Sequence, residues 1–424
     1  MRKTFFIRHI LMILKDLLML IDLLFRYVKR SLPQIICLLI TPTLSAQKAY
    51  IPNTNSNTVS IINLQEDIVL STIDVEMNPR YVVTSPILNR IYVGNQSAAT
   101  LSVIDPDTDT VVETIEVEEF IRGLAINSSS SRIYIGFNAG VLALNLSNNT
   151  IENSIPLSSI PTHLELSPDD KILLVSSSSE LTIINTTTHA VETTLPMNTV
   201  YGICINEEST KAYVAEFGAN SIKEIDLINH TATPFIKNIP DVEDVDLSLD
   251  ESKLYISGGG FGPGKMYVMD LATASLITAI DIGQDPESIQ VNPSGEKAYT
   301  VNFLGNSVSI IDLASNTLDT TLMVGSLPIA WGNFILPAIG PTQNPEITVK
   351  TIHFYPNPTK GVLYFQEISL ESIEIYTVQG QLLQQQDMQN QAQNELDITS
   401  FTAGLYIIRG ISGHQIYTAQ VLKN

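Results

Sequence analysis

The stretch AYTVN at residues 298–302, continued by GNSVSIIDL at 305–313, recurs along the chain and decides its fold. Near-copies occupy residues 49–64, 91–106, 133–146, 172–186, 212–227 and 254–271. In each copy a run rich in β-branched residues precedes a short polar turn and a second such run, which is the pattern of two strands joined by a hairpin. A third and a fourth strand follow before the next copy begins.

The repeats have a nearly constant length. Their first strands are anchored by Tyr50, Tyr92, Tyr134, Leu173, Tyr213, Tyr255 and Tyr299, at steps of 42, 42, 39, 40, 42 and 44 residues. A period near 40 that is made only of short strands indicates the blades of a propeller rather than a helical solenoid. We therefore predict an all-β chain in which residues 47–336 form a seven-bladed β-propeller.

Two further features support a closed ring. An Asn or Asp ends the second strand of each repeat, where its side-chain oxygen can accept a backbone hydrogen bond two residues on and reverse the chain: Asn63, Asp105, Asn145, Asn185, Asp226, Asp270 and Asp312. The array begins on the Tyr strand and ends on an unpaired strand at 328–335. We expect that last strand to become the innermost strand of the first blade, because closure removes open sheet edges.

These repeats resemble the YVTN-repeat β-propellers, whose unit runs Tyr-Val-Thr-Asn, a Gly/Asn turn, Val-Ser-Val-Ile-Asp and a Pro-led strand. The third and fourth repeats depart most from that unit, with Phe137 and Ser176 at its Asn position and Leu173 at its Tyr position. The resemblance implies the fold. It implies no single function, because members of the family are mostly extracellular or surface proteins of unsettled role.

A different module follows a stretch rich in Pro and Gly at 337–350, which we interpret as a linker. Residues 351–424 alternate short strands with Gly or Pro turns, a pattern that predicts a small C-terminal β-sandwich. They resemble the type A sorting domain of the type IX secretion system in the residues Tyr355, Pro356, Asn357, Pro358, Gly361, Gly380, Gly404, Tyr406 and Lys423. The resemblance implies the type IX secretion machinery as a partner.

The first 46 residues have the layout of a signal peptide with a long basic region. An apolar run at 32–44 follows Lys29 and Arg30, and we place cleavage between Ala46 and Gln47. The earlier apolar stretch, 5–25, contains four charges, so a start codon assigned too far upstream is favoured over a membrane-retained N-terminus. We expect no stable transmembrane span, and export through the periplasm to the outer surface or exterior of a Gram-negative bacterium.

Charge and local motifs exclude several classes of function. The net charge of 23 − 44 = −21 disfavours nucleic acid, whose phosphates require clustered Lys and Arg. The histidines are dispersed, and we expect no cofactor. Asp105, Asp107 and Asp109 alternate as in calcium loops but lack the central Gly and closing Glu, so calcium there would be adventitious.

The innermost strands offer the candidate site. One phase is apolar and is expected to pack between blades: Val82, Leu124, Leu164, Ile203, Val245, Ile289 and Trp331. The other phase is polar or small and is expected to face the central channel. Charges at the start of these strands require water nearby. We predict either a ligand-binding mouth or a merely solvated lining, formed by Arg80, Arg122, His163, Tyr201, Glu243, Asp244 and Glu287.

Two functions remain open from the sequence. No nucleophile–base pair or metal motif is visible, so we expect a monomeric, non-catalytic binding or scaffolding module for an extracellular glycan, peptide or surface protein. The alternative is implied by similarity to seven-bladed propellers with lactonase-like activity. Such a hydrolase would have to use His163, Glu243, Asp244 and Glu287, with or without a divalent ion.

Overall fold

The computed structural model of the chain describes residues 47–260, 262–337, 350–352, 354–365, 370, 372–377, 382–387, 395–412 and 415–424. These residues fall into two compact units, one within Ser45–Ala338 and the other within Ile339–Asn424. The predicted signal peptide with Ala46, most of the predicted linker, and Gly380 of the predicted sorting motif lie outside the described residues.

Residues 47–337 form seven antiparallel sheets of four strands, which confirms the prediction of a seven-bladed propeller. In chain order the strands are β1 (Lys48–Asn53), β2 (Thr58–Asn63), β3 (Ile68–Asp74), β4 (Pro79–Ser85), β5 (Arg90–Asn95), β6 (Thr100–Asp105), β7 (Thr110–Glu116), β8 (Gly123–Ile126), β9 (Arg132–Phe137), β10 (Gly140–Asn145), β11 (Thr150–Pro156), β12 (Pro161–Leu166), β13 (Ile172–Ser177), β14 (Glu180–Asn185), β15 (Ala190–Pro196), β16 (Val200–Ile205), β17 (Lys211–Glu216), β18 (Ser221–Asp226), β19 (Thr231–Lys237), β20 (Val242–Leu247), β21 (Lys253–Gly258), β22 (Pro263–Asp270), β23 (Ser275–Gln284), β24 (Pro286–Val291), β25 (Lys297–Asn302), β26 (Ser307–Asp312), β27 (Thr317–Met323) and β28 (Ile335–Leu336). A 3₁₀ turn occupies Phe217–Ala219.

Blade 1 has the strand order β28-β1-β2-β3, and blades 2 to 7 are β4–β7, β8–β11, β12–β15, β16–β19, β20–β23 and β24–β27. The first strand of each set lies next to the channel. The second and third strands are buried on both faces, as in β1 and β5, whereas the outermost strands alternate between exposed and half-buried residues, as in β3. The anchor rings of Tyr50, Tyr134 and Tyr299 are buried, and truncating such a ring to Ala costs about 3–5 kcal/mol.

The Asn that closes the repeat motif is a buried link across its hairpin. Asn53 Nδ2 donates to Thr58 Oγ1 at 3.0 Å and to Ser60 Oγ at 2.9 Å. The same two bonds recur five and seven residues after Asn95 and after Asn302. The motif therefore specifies the turn between the first two strands of a repeat, and the hydrogen bonds within the hairpin account for its Asn.

The predicted side-chain turns between the second and third strands are present in all seven repeats. Asn63 Oδ1, for example, accepts the backbone N–H of Gln65 at 2.8 Å. Equivalent bonds reach two or three residues on from the other six Asn and Asp residues: Asp105, Asn145, Asn185, Asp226, Asp270 and Asp312. These turns lie at the end of the channel opposite the Asn53 type of hairpin.

The ring closes on blade 1, as predicted from the phase of the array. Ile335 and Leu336 of β28 pair with Ala49 and Lys48 of β1, and a single bridge joins Pro328 to Asn53. Next to this joint, the ammonium of Lys297 in blade 7 contacts the carboxylate of Asp67 in blade 1. Lys48 binds Asp109 of blade 2 in the same way at 2.8 Å. Repeated contacts of this kind join neighbouring blades.

The C-terminal unit is built from two sheets, in agreement with the predicted sandwich of short strands. One sheet has the order β29-β36-β35-β32-β33 and the other β30-β31-β34. The strands are β29 (Lys350–Thr351), β30 (Phe354–Tyr355), β31 (Val362–Phe365), β32 (Ser372–Thr377), β33 (Leu382–Asp387), β34 (Glu395–Asp397), β35 (Gly404–Ser412) and β36 (Gln415–Lys423). Its core includes the fully buried Leu363, Ile373 and Val421.

Candidate functional site

Most of the charged residues predicted at the start of the inner strands stand at β-bulges. Pro79 pairs with Asn95 and Tyr81 with Gly94, so that Arg80 between them has no residue opposite. An extra residue of this kind redirects its side chain out of the regular alternation of a strand. The inner strands of blades 2 and 4 to 7 have such a register shift, and in blade 3 Arg122 lies directly before β8 with its N–H donating to the oxygen of Gly136. We call the six residues at this point the bulge residues: Arg80, Arg122, Thr162, Tyr201, Glu243 and Glu287.

The closing segment of blade 1 has a larger irregularity. From the Pro328–Asn53 bridge to the Leu336–Lys48 pair, the closing segment advances 336 − 328 = 8 positions while β1 advances 53 − 48 = 5. Three residues are therefore in excess, where the inner strands of blades 2 and 4 to 7 have one. The excess includes Gly332, whose φ of +108° favours a residue without a side chain.

This excess sends the indole of Trp331 across the channel. Its ring stacks on Tyr201 of blade 5, with centroids 6.1 Å apart and an interplanar angle of 23°, and lies 5.7 Å from the ring of Tyr81. The indole N–H donates to the backbone oxygen of Glu287 at 3.0 Å. Trp331 packs against the apolar cluster of blades 2 and 3, as its place in the apolar phase predicts. Its reach across the channel to Tyr201 was not predicted, because a regular closing strand was assumed.

Trp331 and Tyr201 form a bar across one end of the channel, since blades 1 and 5 stand on opposite sides of a seven-bladed ring. We call this end the mouth and define it by the six bulge residues and Trp331. Around the ring, Arg80, Arg122 and Thr162 lie on one side of the bar, and Glu243 and Glu287 lie on the other. The predicted basic and acidic sides are therefore separate halves of the mouth.

The basic half contains two arginines without a carboxylate partner among the described residues. The Arg80 guanidinium lies 5.8 Å from the centre of the Trp331 ring, and its buried Nε–H has no acceptor. Arg122 lies 4.7 Å from the centre of the Phe120 ring and donates to Asn138 Oδ1 at 3.0 Å. Of the twelve Lys and Arg residues in 47–336, eight form ion pairs with described residues, and Arg80 and Arg122 are two of the other four.

The acidic half contains two carboxyl groups that make no hydrogen bond within the described part of the chain. Burial raises the pKa of Glu243, and the nearby Glu287, Asp285 and Asp241 raise it further. Burial and Asp285 likewise raise the pKa of Glu287. The pKa of Tyr201 is raised by burial and then by both glutamates, which places all three groups in one electrostatic environment.

His163 and Asp244 each follow the bulge residue of their strand by one position, and they do not belong to the mouth. They line a cavity of about 210 Å³ together with Glu165, Cys204, Asp246 and Asn333. Neither Arg80 nor the Trp331–Tyr201 bar lines it. We call it the lower cavity, because the strand segments that form it lead to the end of the channel opposite the mouth. Of the seven predicted residues, five are gathered at the mouth and two in the lower cavity.

Carboxylates of the lower cavity connect neighbouring inner strands. Asp244 Oδ2 accepts the N–H of Ile289 at 3.0 Å, and Asp246 Oδ2 accepts the N–H of Val291 at 2.7 Å. Burial raises the pKa of Asp244 to about 6 and that of Asp246 to about 7. Gln290 Oε1 continues the pattern by accepting two N–H groups of the closing segment, at 2.9 and 3.0 Å.

These connecting bonds were not predicted from the sequence. The signal is present in part, because β20 and β24 place polar residues at alternate positions: Asp244, Asp246, Ser288 and Gln290. That alternation indicates a face toward the channel but does not show which backbone N–H groups remain unpaired on the next strand. A polar residue on an inner strand is therefore ambiguous between ligand binding and support of its neighbour.

The candidate calcium residues have separate protein partners. Asp105 pairs with Arg90 at 3.1 Å, Asp107 accepts from Asn89 at 2.8 Å, and Asp109 binds Lys48. Among the described residues, no set of three His, Cys, Asp or Glu side chains is arranged to hold a metal ion.

The described residues of the predicted sorting motif are tied into the C-terminal sandwich. Lys423 is only 8% exposed, and its ammonium donates to the backbone oxygens of Thr399, at 2.7 Å, and Phe401. Tyr406 Oη donates to the oxygen of Thr402 at 2.7 Å. Asn357 Oδ1 accepts the N–H of Leu422 at 2.9 Å, next to Pro356 and Pro358. Gly361 has a φ of +150°, and an added Cβ would lie 2.3 Å from Thr399 Cγ2.

Comparison with known proteins assigns the two units separately. A family model described as a secretion system C-terminal sorting domain matches residues 353–424. The seven-bladed β-propeller protein Rv1057 of Mycobacterium tuberculosis is 28% identical over 129 residues, which cover 29% of this chain and 33% of that protein. The aligned region thus spans about a third of that relative's length.

Solved structures show the fold alone. Hydrazine synthase of Kuenenia stuttgartiensis is similar with a TM-score of 0.58 and 17% identity, over 62% of this chain and 92% of that one. A functionally unknown protein from Desulfotomaculum acetoxidans DSM 771 also has a TM-score of 0.58, with 12% identity, over 69% of this chain and 98% of that one. A protein from Lactobacillus plantarum has a TM-score of 0.56 and 16% identity, over 67% of this chain and 98% of that one.

The C-terminal match indicates that the chain is exported. A sorting domain of this kind directs a protein through the type IX secretion system to the cell surface or the extracellular space. No helix within the described residues has the length and apolar character needed to cross a bilayer.

Proposed function

We propose that the exported propeller is a non-catalytic binding or scaffolding module whose ligand sits at the mouth. The observation that carries this proposal is the pair of unpaired arginines, Arg80 and Arg122, in a chain that otherwise pairs most of its cations. A charged donor that lacks a partner near a low-dielectric wall gains more from an incoming acidic group than it would in water. The ligand would be an acidic group of a glycan, a peptide or a surface protein.

We further propose the organisation of the whole chain. Residues 1–46 would be a signal peptide cut between Ala46 and Gln47, 47–336 a propeller of the YVTN-repeat family, 337–350 a linker and 351–424 the sorting domain. The hairpin bonds of Asn53, Asn95 and Asn302 support the family assignment. The product would be a monomer on or outside a Gram-negative cell, delivered through the periplasm.

A hydrolase remains the second candidate because one observation favours it. Glu243 and Glu287 have raised pKa values in the same half of the mouth, and carboxyl groups of this kind act as general acids and bases. His163 and Asp244, which the lactonase-like alternative also requires, line the lower cavity instead. A hydrolase would therefore have to work with the two glutamates alone at the mouth.

The experiment that separates these functions is a glycan and protein-ligand array probed with the purified protein, run beside a lactone and ester hydrolysis screen with and without EDTA. Saturable capture that is lost on Arg80→Ala and Arg122→Ala, without turnover, is the expected result. Turnover that disappears in Glu243→Gln and Glu287→Gln variants would defeat the binding proposal and establish the hydrolase.

Export has its own test. Deleting 351–424 should leave the propeller in the periplasm, and N-terminal sequencing of the secreted protein should begin at Gln47. Normal surface delivery of the truncated chain would contradict the role given to the sorting domain.

A further inference from the structure

The lower cavity is a polar space that the proposed binding at the mouth does not use. It is formed by β12, β16, β20, β24 and the closing segment, and its volume of about 210 Å³ corresponds to about seven waters at the share each has in the liquid. Its lining includes Glu165, Asp244 and Asp246 and contains no Lys or Arg. The ligand it could accept is therefore cationic.

Several acceptors in the cavity are still available. The Glu165 carboxylate makes no hydrogen bond among the described residues, although its Oε2 lies 3.9 Å from Nε2 of His163. The two oxygens of Asp246 accept one backbone N–H each, from Leu247 at 2.8 Å and from Val291 at 2.7 Å. A carboxylate has about four lone-pair sites, so Asp246 can accept two further bonds.

His163 is an independent sign of a ligand. Its side chain is only 6% exposed, it lines the cavity, and neither ring nitrogen makes a hydrogen bond within the described part of the chain. Its ring nitrogens open into the cavity, where water or a ligand can satisfy them. A neutral imidazole offers one acceptor nitrogen to a donor in the cavity.

The rim of the cavity is apolar on one side. Leu247 and Leu249 line it, and Leu249 is 64% exposed, so that the cavity reaches the protein surface beside an aliphatic side chain. A ligand that combines a charged head with a short alkyl chain would bury the head among Glu165, His163 and Asp246. Its methylene groups would then cover Leu249.

We infer that the lower cavity binds a primary alkylammonium group, carried by a free amine or by a lysine side chain. An ammonium has three rotatable donors, which suits acceptors contributed by separate strands, whereas the planar fork of a guanidinium suits two parallel acceptors. A metal ion is disfavoured because the described His, Cys, Asp and Glu residues do not form a set of three around one point.

The test uses isothermal titration of the purified protein with pentylammonium chloride and, in a second arm, with an acetylated, amidated lysine peptide. Saturable binding of the first alone assigns a free amine, and binding of the second a lysine side chain. Glu165→Gln removes the charge without removing a hydrogen bond between described residues and should raise the Kd at least tenfold, about 1.4 kcal/mol. Glu66→Gln, which removes an exposed carboxylate in a turn outside the lining of the cavity, is the matched control and should change the Kd less than about twofold.

Three results would overturn the inference. One is the absence of saturable binding of either probe at millimolar concentration by the wild-type protein. Another is equal affinity for 1-pentanol or tetramethylammonium, which lack the charge or the N–H donors. The third is an unchanged Kd in Glu165→Gln. These results would not bear on the proposed binding at the mouth, because the array experiment that tests it depends on Arg80 and Arg122.

Discussion

The two ends of the channel contain similar side chains in different states of bonding. Asp244 and Asp246, toward the lower end, each accept two backbone N–H groups, one of them from the neighbouring blade. Glu243 and Glu287, at the mouth, make no side-chain hydrogen bond within the described residues. The contrast indicates that an acidic residue in the channel is structural when it completes the edge of an adjacent strand. It is available for a ligand when it does not.

The largest effect expected from this contrast is on stability. Replacing Asp244 by Ala leaves the N–H groups of Ile289 and Val245 buried without a partner, and we expect a loss of about 3 kcal/mol in the free energy of unfolding. Glu243→Ala removes no hydrogen bond and should cost less than about 1 kcal/mol. Urea unfolding of the two variants measures the difference. Equal losses in the free energy of unfolding would contradict the distinction between carboxylates that support a neighbouring strand and carboxylates that are available for a ligand.

A second prediction concerns the bar that separates the halves of the mouth. Trp331→Ala removes the stack on Tyr201 and the bond to the Glu287 oxygen, and we expect it to cost about 2 kcal/mol, less than a fully buried ring would. Trp331→Phe keeps a ring and should cost about half as much. If chemical denaturation shows both variants to be as stable as the wild type, the bar is not part of the folded ring.

The pH dependence of stability tests the raised carboxyl pKa values at both ends of the channel. The folded-state pKa values of Glu243, Glu287, Asp244 and Asp246 are raised, so the folded protein holds protons that the unfolded chain has already released. For Glu287, Asp244 and Asp246 the resulting stability is present below the ordinary carboxyl pKa of about 4 and is lost as pH rises through about 6 to 7. The contribution of Glu243 is lost at higher pH. A carboxyl group whose acid dissociation constant is tenfold smaller in the folded chain than in the unfolded chain contributes about 1.4 kcal/mol in this way.

The variants to compare are Glu287→Gln and, as its control, Glu66→Gln. Glu66 is an exposed carboxyl group in a turn. Melting temperatures at pH 5 and pH 8 should differ in the wild type, with the higher value at pH 5, and the difference should narrow in Glu287→Gln, where Asp244 and Asp246 still contribute. Glu66→Gln should keep the wild-type difference. A wild type that is more stable at pH 8 than at pH 5 would contradict the raised pKa values.

The architecture was predictable because its causes are local and repeated. The period near 40 and the Asn or Asp at the turn after the second strand recur in all seven repeats, and the Asn at the hairpin has the same role in three of them. The position of Arg80, Glu243 and Glu287 at one end of the inner strands agrees with the prediction. Its reason, that these are charges next to water, does not hold for Glu243, which is buried and has a raised pKa. Sequence patterns of this kind report on secondary structure and exposure.

What could not be predicted depends on contacts between repeats. The reach of Trp331 across the channel was missed because the three extra residues of the closing segment are visible only once β1 and β28 are paired. His163 and Asp244 were grouped with the mouth because a register one step deeper looks the same in sequence. One of the two bonds that occupy Asp244 comes from Ile289 of β24, 45 residues away along the chain, and no local sequence pattern predicts it.

The most direct test of the mouth as a binding site uses its own chromophore, because Trp331 is the single tryptophan of the chain. Titration with the ligand identified on the array should change the Trp331 emission and saturate. Arg80→Ala with Arg122→Ala should weaken that Kd about a hundredfold, as expected for two charged hydrogen bonds of about 1.5 kcal/mol each. The control is Lys237→Ala with Lys253→Ala, which removes equal charge elsewhere and should change it less than about twofold. Equal losses in the two double variants, or saturable capture with no change in emission, would contradict the account.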